Sequence, residues 1–288
     1  MVWRSSSADQ RVRLTLRSAG PAHVAIIGGL HGDEPAGERI VRRLAERLAD
    51  PDETKGEGSI RLLIANEPAL EAGTRYTDTD QNRAFPGDST SQEYERALAP
   101  KIMAAVEGAD AVLALHTSYS APPPFAIYSE LTDSVRRTVA GIPVDYVLDS
   151  SGLRSTTLDS VVPHAVSVEV GPQGSDEAVE FGYESTLAFL WAYGALDDEP
   201  PTFTPTTIIT GLEEIPKGGG EPHVNYANFE EIPQGSIFAQ DDEYTHRVED
   251  EGIVPVLASE NGYDDIFGIY GRLAGTLEPQ PSDGLPSE

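Results

Sequence analysis

The sequence contains no cysteine, and only three of its 288 residues are lysine. The absence of cysteine excludes disulfides, thiolate nucleophiles and cysteine-ligated zinc, so any metal site has to use His, Asp or Glu. Basic residues are scarce in general, because 20 Lys and Arg stand against 48 Asp and Glu, for a net charge of −28. We therefore expect no nucleic-acid partner. The acids are spread along the chain, which favours a highly hydrated surface of the halophile type over a site for a basic partner.

Long apolar runs are also missing. No stretch approaches the roughly 18 to 20 apolar residues that cross a bilayer, and the first ten residues contain no apolar signal core. These absences predict a cytoplasmic protein without a membrane partner.

Short apolar runs alternate with helical patterns in the first two thirds of the chain. Residues 24–29, 60–65, 111–115 and 166–170 have the composition of buried parallel strands. Apolar residues at helical spacing predict helices over residues 36–49, 93–106 and 177–193, and Pro100 is expected to kink or divide the second. This alternation predicts an α/β fold, with one sheet covered by helices on both faces.

The amino-acid composition changes after residue 196. Residues 197–201 are acidic and rich in proline, and the segments that follow are short, β-prone and rich in glycine and proline. We predict a catalytic domain over residues 1–199 and a smaller β-rich domain over residues 200–277 that closes the active site. Residues 278–288, rich in proline, serine and acid, are predicted to be a disordered tail.

Two histidines and a glutamate have the pattern of a metal site. His31 and Glu34 lie three residues apart, directly after one apolar strand and before a helix, and His116 ends another such strand. The carboxyl edge of a parallel sheet is where such folds build their sites. Two His and one carboxylate form the three-ligand set of a hydrolytic zinc, with the fourth position left for water. We predict one Zn²⁺ per chain. The other four histidines, which do not end apolar strands in this way, are predicted to be structural or surface residues.

Five ordered motifs carry a resemblance to a known family. They are residues 29–34 (GLHGDE), 66–69 (NEPA) leading to Arg75, 80–87 (DQNRAFPG), 116–117 (HT) and 168–173 (VEVGPQ). With these motifs the chain resembles the succinylglutamate desuccinylase and aspartoacylase family, relatives of the zinc carboxypeptidases. The resemblance implies a zinc-carboxypeptidase-like three-layer α/β/α domain, with His31, Glu34 and His116 as the zinc ligands.

The resemblance also implies roles for five further side chains. Glu169 corresponds to the family's general base and acid, and Arg75 to the arginine that faces the scissile carbonyl. Asn82 and Arg83 match the pair that grips the carboxylate of the amino-acid product, a task for which a guanidinium fork and an amide are well suited. Tyr263, after a C-terminal segment similar to the family's, corresponds to the tyrosine that reaches back over the active site.

The sequence departs from the family pattern at two places. Gln81 stands where the family usually has Leu, a change expected to affect packing. Leu158 or Asp159 falls where aspartoacylases carry an Arg that holds a second substrate carboxylate, and the nearest base is Arg154. An apolar or acidic residue cannot replace a cation opposite a carboxylate. The sequence therefore does not predict specificity for acetylaspartate or succinylglutamate.

The predicted function is that of a zinc-dependent amidohydrolase. It would cleave the amide bond of small N-acyl amino acids by attack of a zinc-bound water, with Glu169 as general base. One alternative is a carboxypeptidase-like hydrolase of peptides or larger amides, which an open groove would favour and a tyrosine loop over the metal would not. Another is a zinc-binding protein without catalysis. Homo-oligomerisation remains open.

Overall fold

The structure is a computed structural model that describes residues 14–17, 22–49, 58–196 and 204–279. Its strands are β1 (Leu14–Arg17), β2 (His23–Gly28), β3 (Ser59–Ile64), β4 (Ala111–Ser118), β5 (Phe125–Tyr128), β6 (Tyr146–Asp149), β7 (Ala165–Pro172), β8 (Thr206–Pro216), β9 (His223–Val224), β10 (Ile237–Gln240), β11 (Thr245–Arg247), β12 (Ile253–Val256) and β13 (Ile266–Leu277). Its α-helices are α1 (Pro35–Ala49), α2 (Glu67–Ala72), α3 (Tyr94–Val106), α4 (Asp133–Ala140), α5 (Leu158–Val161) and α6 (Asp176–Ala192).

A ten-stranded sheet organises the chain, in the order β1-β3-β2-β4-β7-β5-β6-β8-β13-β12. The four predicted strands, β2, β3, β4 and β7, are parallel neighbours at its centre. Strand β5 runs antiparallel to β7 and parallel to β6. The carboxyl ends of the central parallel strands therefore meet at one edge, which is where the motif residues follow them.

Side chains of the central strands alternate between two apolar layers. In β2, Val24 and Ile26 face the layer that contains residues of α1 and α6, whereas Ala25 and Ile27 face the layer that contains residues of α3. Both faces are buried, as expected for a parallel sheet covered on both sides. The predicted α/β fold with three layers is thus confirmed.

Helix α3 is continuous at Pro100. It runs unbroken from Tyr94 to Val106 with Pro100 inside, so the proline does not divide the helix, while the kink stays a prediction. Pro100 has no N–H to offer the carbonyl of Arg96 four residues earlier. The Asp88 N–H donates to that carbonyl instead, at 2.8 Å, so the carbonyl is not left without a partner.

The residues after 200 contribute to two sheets. Strands β8, β13 and β12 extend the large sheet, while β11, β10 and β9 form a small antiparallel sheet of their own. An apolar cluster that includes Phe238 and Phe267 lies between these parts. The division at residue 200 stays a prediction, and most of the segment on which it rests, residues 197–203, lies outside the described residues. Residues 280–288 of the predicted tail and the N-terminal ten residues lie outside them too. In the part that the structure describes, no helix is long and apolar enough to cross a membrane.

Candidate metal centre and active site

The turn after β2 places His31 and Glu34 at the carboxyl edge of the sheet. Gly32 lies against α2 so closely that an added Cβ would come within 2.0 Å of the Ala69 carbonyl carbon. The Gly32 N–H also donates to the Arg75 carbonyl at 3.1 Å. Pro35 then begins α1 at the position where its missing N–H costs least. The glycines of this motif therefore allow the turn to pack directly on the neighbouring backbone.

His31, Glu34 and His116 form a buried group at this edge. The Nδ1 atom of His31 lies 2.7 Å from Oε1 of Glu34, and Nδ1 of His116 lies 3.0 Å from Oε2. One nitrogen or oxygen atom from each residue lies within 4.8 Å of the others, and this is the one group of three such side chains found among the described residues. Each of the three residues is less than 5% exposed. The arrangement could hold one metal ion.

The electrostatics of this group favour a cation. Burial opposes a charge on His31, yet the neighbouring carboxylates of Glu34 and Asp80 outweigh it and raise its pKa to about 9. Burial likewise opposes ionisation of Glu34, but the two histidines lower its pKa well below the usual range. The buried Nε2 of His116 has no hydrogen-bond partner among the described residues. Two imidazoles and one ionised carboxylate are a donor set that suits zinc, so the residues present fit the predicted ion.

Asp80 lies between His31 and Arg75 and contacts both. The three side chains His31, Glu34 and His116 are called the metal group below. One oxygen of Asp80 lies 3.1 Å from Nε2 of His31, and the other accepts from Nε of Arg75 at 3.0 Å. It also accepts from the Asn82 N–H at 2.8 Å, at the start of a short 3₁₀ helix over Gln81–Arg83. Asp80 is therefore a site residue to which the sequence pattern gives no role. Its position at the start of the motif over residues 80–87 is the sequence feature that points to it.

Arg75 lies between the carboxylates of Glu34 and Asp80. Its Nη1 donates to Oε1 of Glu34 at 3.1 Å, in addition to the bond from Nε to Asp80. Burial alone would lower the pKa of this guanidinium, but the two carboxylates outweigh burial and raise it. Arg75 is therefore a fixed positive charge beside the predicted metal ligands, and it lines the cavity described below.

Glu169 lies on β7 directly beside His116 of β4, since the two residues are paired in the parallel register. Its Oε2 is buried without a hydrogen-bond partner among the described residues. Burial, reinforced by the negative charge of Glu34, raises the pKa of the Glu169 carboxyl to about 7. A carboxyl group that binds and releases a proton near neutral pH is suited to acid–base chemistry.

One cavity of about 150 Å³ collects the predicted site residues from distant segments. All eight of them line it: His31, Glu34, Arg75, Asn82, Arg83, His116, Glu169 and Tyr263. The Tyr263 hydroxyl lies 3.5 Å from Oγ of Ser118, at the end of β4. Apolar side chains of the C-terminal part, Leu257, Ile266 and Ile269, also line the cavity. The structure thus brings the eight residues together, while the role of each stays a prediction.

Leu158 and Asp159, the two candidates for the position of the aspartoacylase arginine, differ in where their side chains lie. Leu158 is fully buried in the apolar layer beside α3, whereas Asp159 lines the cavity. Arg154, the nearest base, also lines the cavity, and its Nε donates to Oε1 of Glu214. The residue that faces the cavity at this place is therefore acidic.

Comparison with known proteins gives the family of the chain. The family model described as the succinylglutamate desuccinylase/aspartoacylase catalytic domain matches residues 21–188. The aspartoacylase of Danio rerio is 30% identical over 172 residues, which cover 52% of this chain and 54% of that protein. The N-alpha-acetyl-L-2,4-diaminobutyric acid deacetylase of Halomonas elongata is 26% identical over 277 residues, 85% of this chain and 76% of that protein.

A solved structure shares the fold. The succinylglutamate desuccinylase/aspartoacylase of Rhodobacter sphaeroides superposes with a TM-score of 0.70 at 20% identity, covering 93% of this chain and 89% of that one. The chain spans about half the length of several curated relatives that it matches. Because the family model covers more than half of the sequence, the chain belongs to the succinylglutamate desuccinylase/aspartoacylase family.

Proposed function

We propose that the protein is a zinc-dependent amidohydrolase that cleaves the amide bond of small N-acyl amino acids. The observation that supports it most is the single cavity shared by the His31, Glu34 and His116 group, the buried carboxyl of Glu169 and the Asn82–Arg83 pair. The relatives named above act on acyl or acetyl derivatives of single amino acids, as their names state. When bound, zinc supplies Lewis-acid polarisation of the carbonyl and activation of water.

Two side chains beside the metal group carry out proton transfer and charge stabilisation. Glu169 takes a proton from the attacking water and returns it to the nitrogen of the leaving amino acid. The Nη2 donor of Arg75 stabilises the negative charge that develops on the carbonyl oxygen. Arg75 does not have to move for this, because Glu34 and Asp80 hold its other two nitrogens.

The amino-acid carboxylate binds at Asn82 and Arg83. The Asn82 side chain is oriented by its Oδ1, which accepts from the Leu158 N–H at 3.4 Å. Its amide donor and the exposed guanidinium of Arg83 then offer two adjacent groups to a carboxylate. This anchor fixes the α-carbon, so the scissile amide has one orientation at the metal group.

The side chains that the C-terminal part contributes to the cavity favour a small substrate over a peptide. Tyr263, Leu257 and Ile266 from the C-terminal part line the same space of about 150 Å³ as the metal group. A peptide would need a groove that continues past these side chains. The hypothesis of a zinc-binding protein without catalysis gives no reason for Glu169 and Arg75 to share the cavity.

The proposal is tested with Glu169→Gln, which keeps the side-chain shape but removes the base. We expect zinc to remain bound, as measured by metal analysis, while kcat falls by about 10²–10⁴-fold. Glu177→Gln, which changes an exposed glutamate at the start of α6, is the matched control and should retain full activity. Normal turnover of N-acyl amino acids by Glu169→Gln would overturn the mechanism.

Arg83→Ala should chiefly raise KM, because it removes one of the two groups that bind the amino-acid carboxylate.

A further inference from the structure

Asp159 is a buried carboxylate without a positively charged partner among the described residues. It is 5% exposed and accepts hydrogen bonds from the hydroxyls of Ser129 at 2.8 Å and Ser167 at 3.2 Å. The Ser150 hydroxyl lies 3.4 Å from Asp159 and 3.0 Å from the Tyr128 carbonyl, and it shares its proton between them. All three hydroxyls are neutral. A carboxylate this far from water is costly unless a cation balances it. Because Asp159 lines the cavity, a ligand could supply the missing charge.

The other charges on this part of the cavity do not balance Asp159. Arg154 is the nearest base in the sequence, but its guanidinium is paired with Glu214. Asp265 lines the same cavity and adds another negative charge. Arg83 also lines the cavity, but in the proposed function it binds the amino-acid carboxylate. A side-chain group placed beside Asp159 would therefore meet an excess of negative charge, which repels a second carboxylate and attracts an ammonium group.

The position of Asp159 identifies the part of the substrate that it would meet. Asn82, in the proposed carboxylate anchor, accepts a hydrogen bond from the N–H of Leu158, the residue before Asp159. Ser167, which donates to Asp159, precedes Glu169 by two residues on β7 and lies on the same face, about 7 Å along the strand. Asp159 thus lies near both the anchor and the proposed base. The side chain of the amino acid, attached to the same carbon as the anchored carboxylate, is the group within reach.

We infer that the enzyme prefers N-acyl amino acids with a short cationic side chain, and that Asp159 determines this specificity. The inference rests on the proposed function, because it assigns the side-chain end of the same cavity. Binding of an ammonium group would turn the Asp159 carboxylate into half of an ion pair, with the three serine hydroxyls holding it in place. A neutral side chain of equal size would leave the carboxylate without a partner, and an acidic one would be repelled.

The first test compares substrates that match in size and differ in charge. Derivatives of 2,4-diaminobutyrate, norvaline and aspartate, each with an acetyl and with a succinyl group, are assayed on the zinc-loaded protein. We expect kcat/KM for the diaminobutyrate derivative to exceed that for norvaline by roughly a hundredfold, the scale of a lost buried charge pair. The aspartate derivative should be the poorest. Calorimetric binding of the three free amino acids, which are the products, should follow the same order without depending on turnover.

The second test removes the charge of Asp159. Asp159→Asn should lower the preference for the cationic side chain at least about tenfold, in both kcat/KM and product binding. Asp250→Asn, which removes a carboxylate from the exposed pair with Arg272, is the matched control and should leave the preference unchanged. If Asp159→Asn does not fold, the substrate and product comparison on the natural chain decides alone.

The outcomes separate the inference from the proposed function. Turnover with equal or greater preference for norvaline or aspartate would overturn the inference and leave the amidohydrolase intact. A preference that survives Asp159→Asn would overturn the role of Asp159. No turnover of any derivative by the zinc-loaded protein would overturn the proposed function, and the order of product binding would still support or contradict the cationic subsite.

Discussion

Asp80 contacts both His31, one of the three predicted metal ligands, and the neighbouring Arg75. One of its oxygens contacts His31 and the other contacts Arg75. The same carboxylate accepts a hydrogen bond from the backbone N–H of Asn82. A carboxylate that accepts from the second nitrogen of a metal-binding histidine orients the ring and increases its basicity. In the proposed function, Asp80 would therefore influence the metal through His31 and the substrate anchor through Asn82.

We predict that Asp80→Asn weakens zinc binding by about 10–100-fold while the protein remains folded. The amide keeps the shape of the side chain but loses the negative charge that favours a cation at His31. The zinc dissociation constant is measured by competition with a chromophoric chelator. Asp133→Asn, an exposed aspartate at the start of α4, serves as the control. Unchanged zinc affinity in Asp80→Asn would show that His31 does not depend on this contact.

At the residue scale, the sequence predicted those side chains whose type and position are typical of metal ligands. His31, Glu34 and His116 follow apolar strands, so their meeting at one sheet edge could be expected from the pattern. Asp80 stands in the sequence only as part of the motif over residues 80–87, and Asp159 only as one of two candidates for the position of the aspartoacylase arginine. Their further contacts, with His31 and with three serines from separate segments, depend on how the chain folds.

At the scale of elements, Glu95 connects helix α3 to the loop that precedes the site. This side chain is buried at 0% exposure and accepts from the N–H groups of Thr77, Asp78 and Thr79 at 2.6–3.1 Å. It also accepts from the Asn66 amide at 2.9 Å. One carboxylate thus satisfies three successive backbone donors between Arg75 and Asp80. The loop that positions the site is held by a charge on α3.

We predict that Glu95→Gln destabilises the protein by about 2–4 kcal/mol, because an amide cannot accept these bonds with both of its polar atoms. Burial opposes the charge on Glu95, yet the hydrogen bonds outweigh it and lower the pKa. The stabilisation is therefore present above the unfolded value, near pH 4.3, and lost as the pH falls through the folded value. Denaturant unfolding at pH 7 and pH 3 should show a difference from the natural chain that shrinks in acid.

The control for this experiment is Glu71→Gln, which changes an exposed glutamate of α2. Its unfolding free energy should match that of the natural chain at both pH values. A Glu95→Gln variant as stable as the control at pH 7 would mean that the loop does not depend on this carboxylate.

The elements that escaped prediction are those whose pattern is weak or irregular. Strands β5 and β6 have four residues each, and helix α4 has eight, too short to show a clear period. Strands β8 and β13, with 11 and 12 residues, appeared in the sequence only as short β-prone pieces. Register shifts interrupt their pairing at three places, and each shift breaks the alternation of buried and exposed residues on which strand prediction depends.

At the scale of the whole molecule, the excess of acid is the dominant property. A net charge of −28 over 288 residues, with a sequence pI of about 4.4, leaves most carboxylates without a basic partner. Repulsion between like charges destabilises the compact state more than the expanded one. Salt weakens this repulsion, since the Debye length falls from about 10 Å at 0.1 M to about 3 Å at 1 M.

We therefore predict that stability rises with ionic strength. Between 0.1 M and 1 M salt the melting temperature of the zinc-loaded protein should increase by about 4–8 °C, equivalent to roughly 2 kcal/mol for a chain of this size. Scanning calorimetry in NaCl and in KCl distinguishes screening from specific binding, because screening depends on ionic strength and not on the identity of the cation. A melting temperature that is unchanged or lower at high salt would show that repulsion between the acidic side chains does not destabilise the folded protein. A rise with one cation alone would indicate a specific ion site instead.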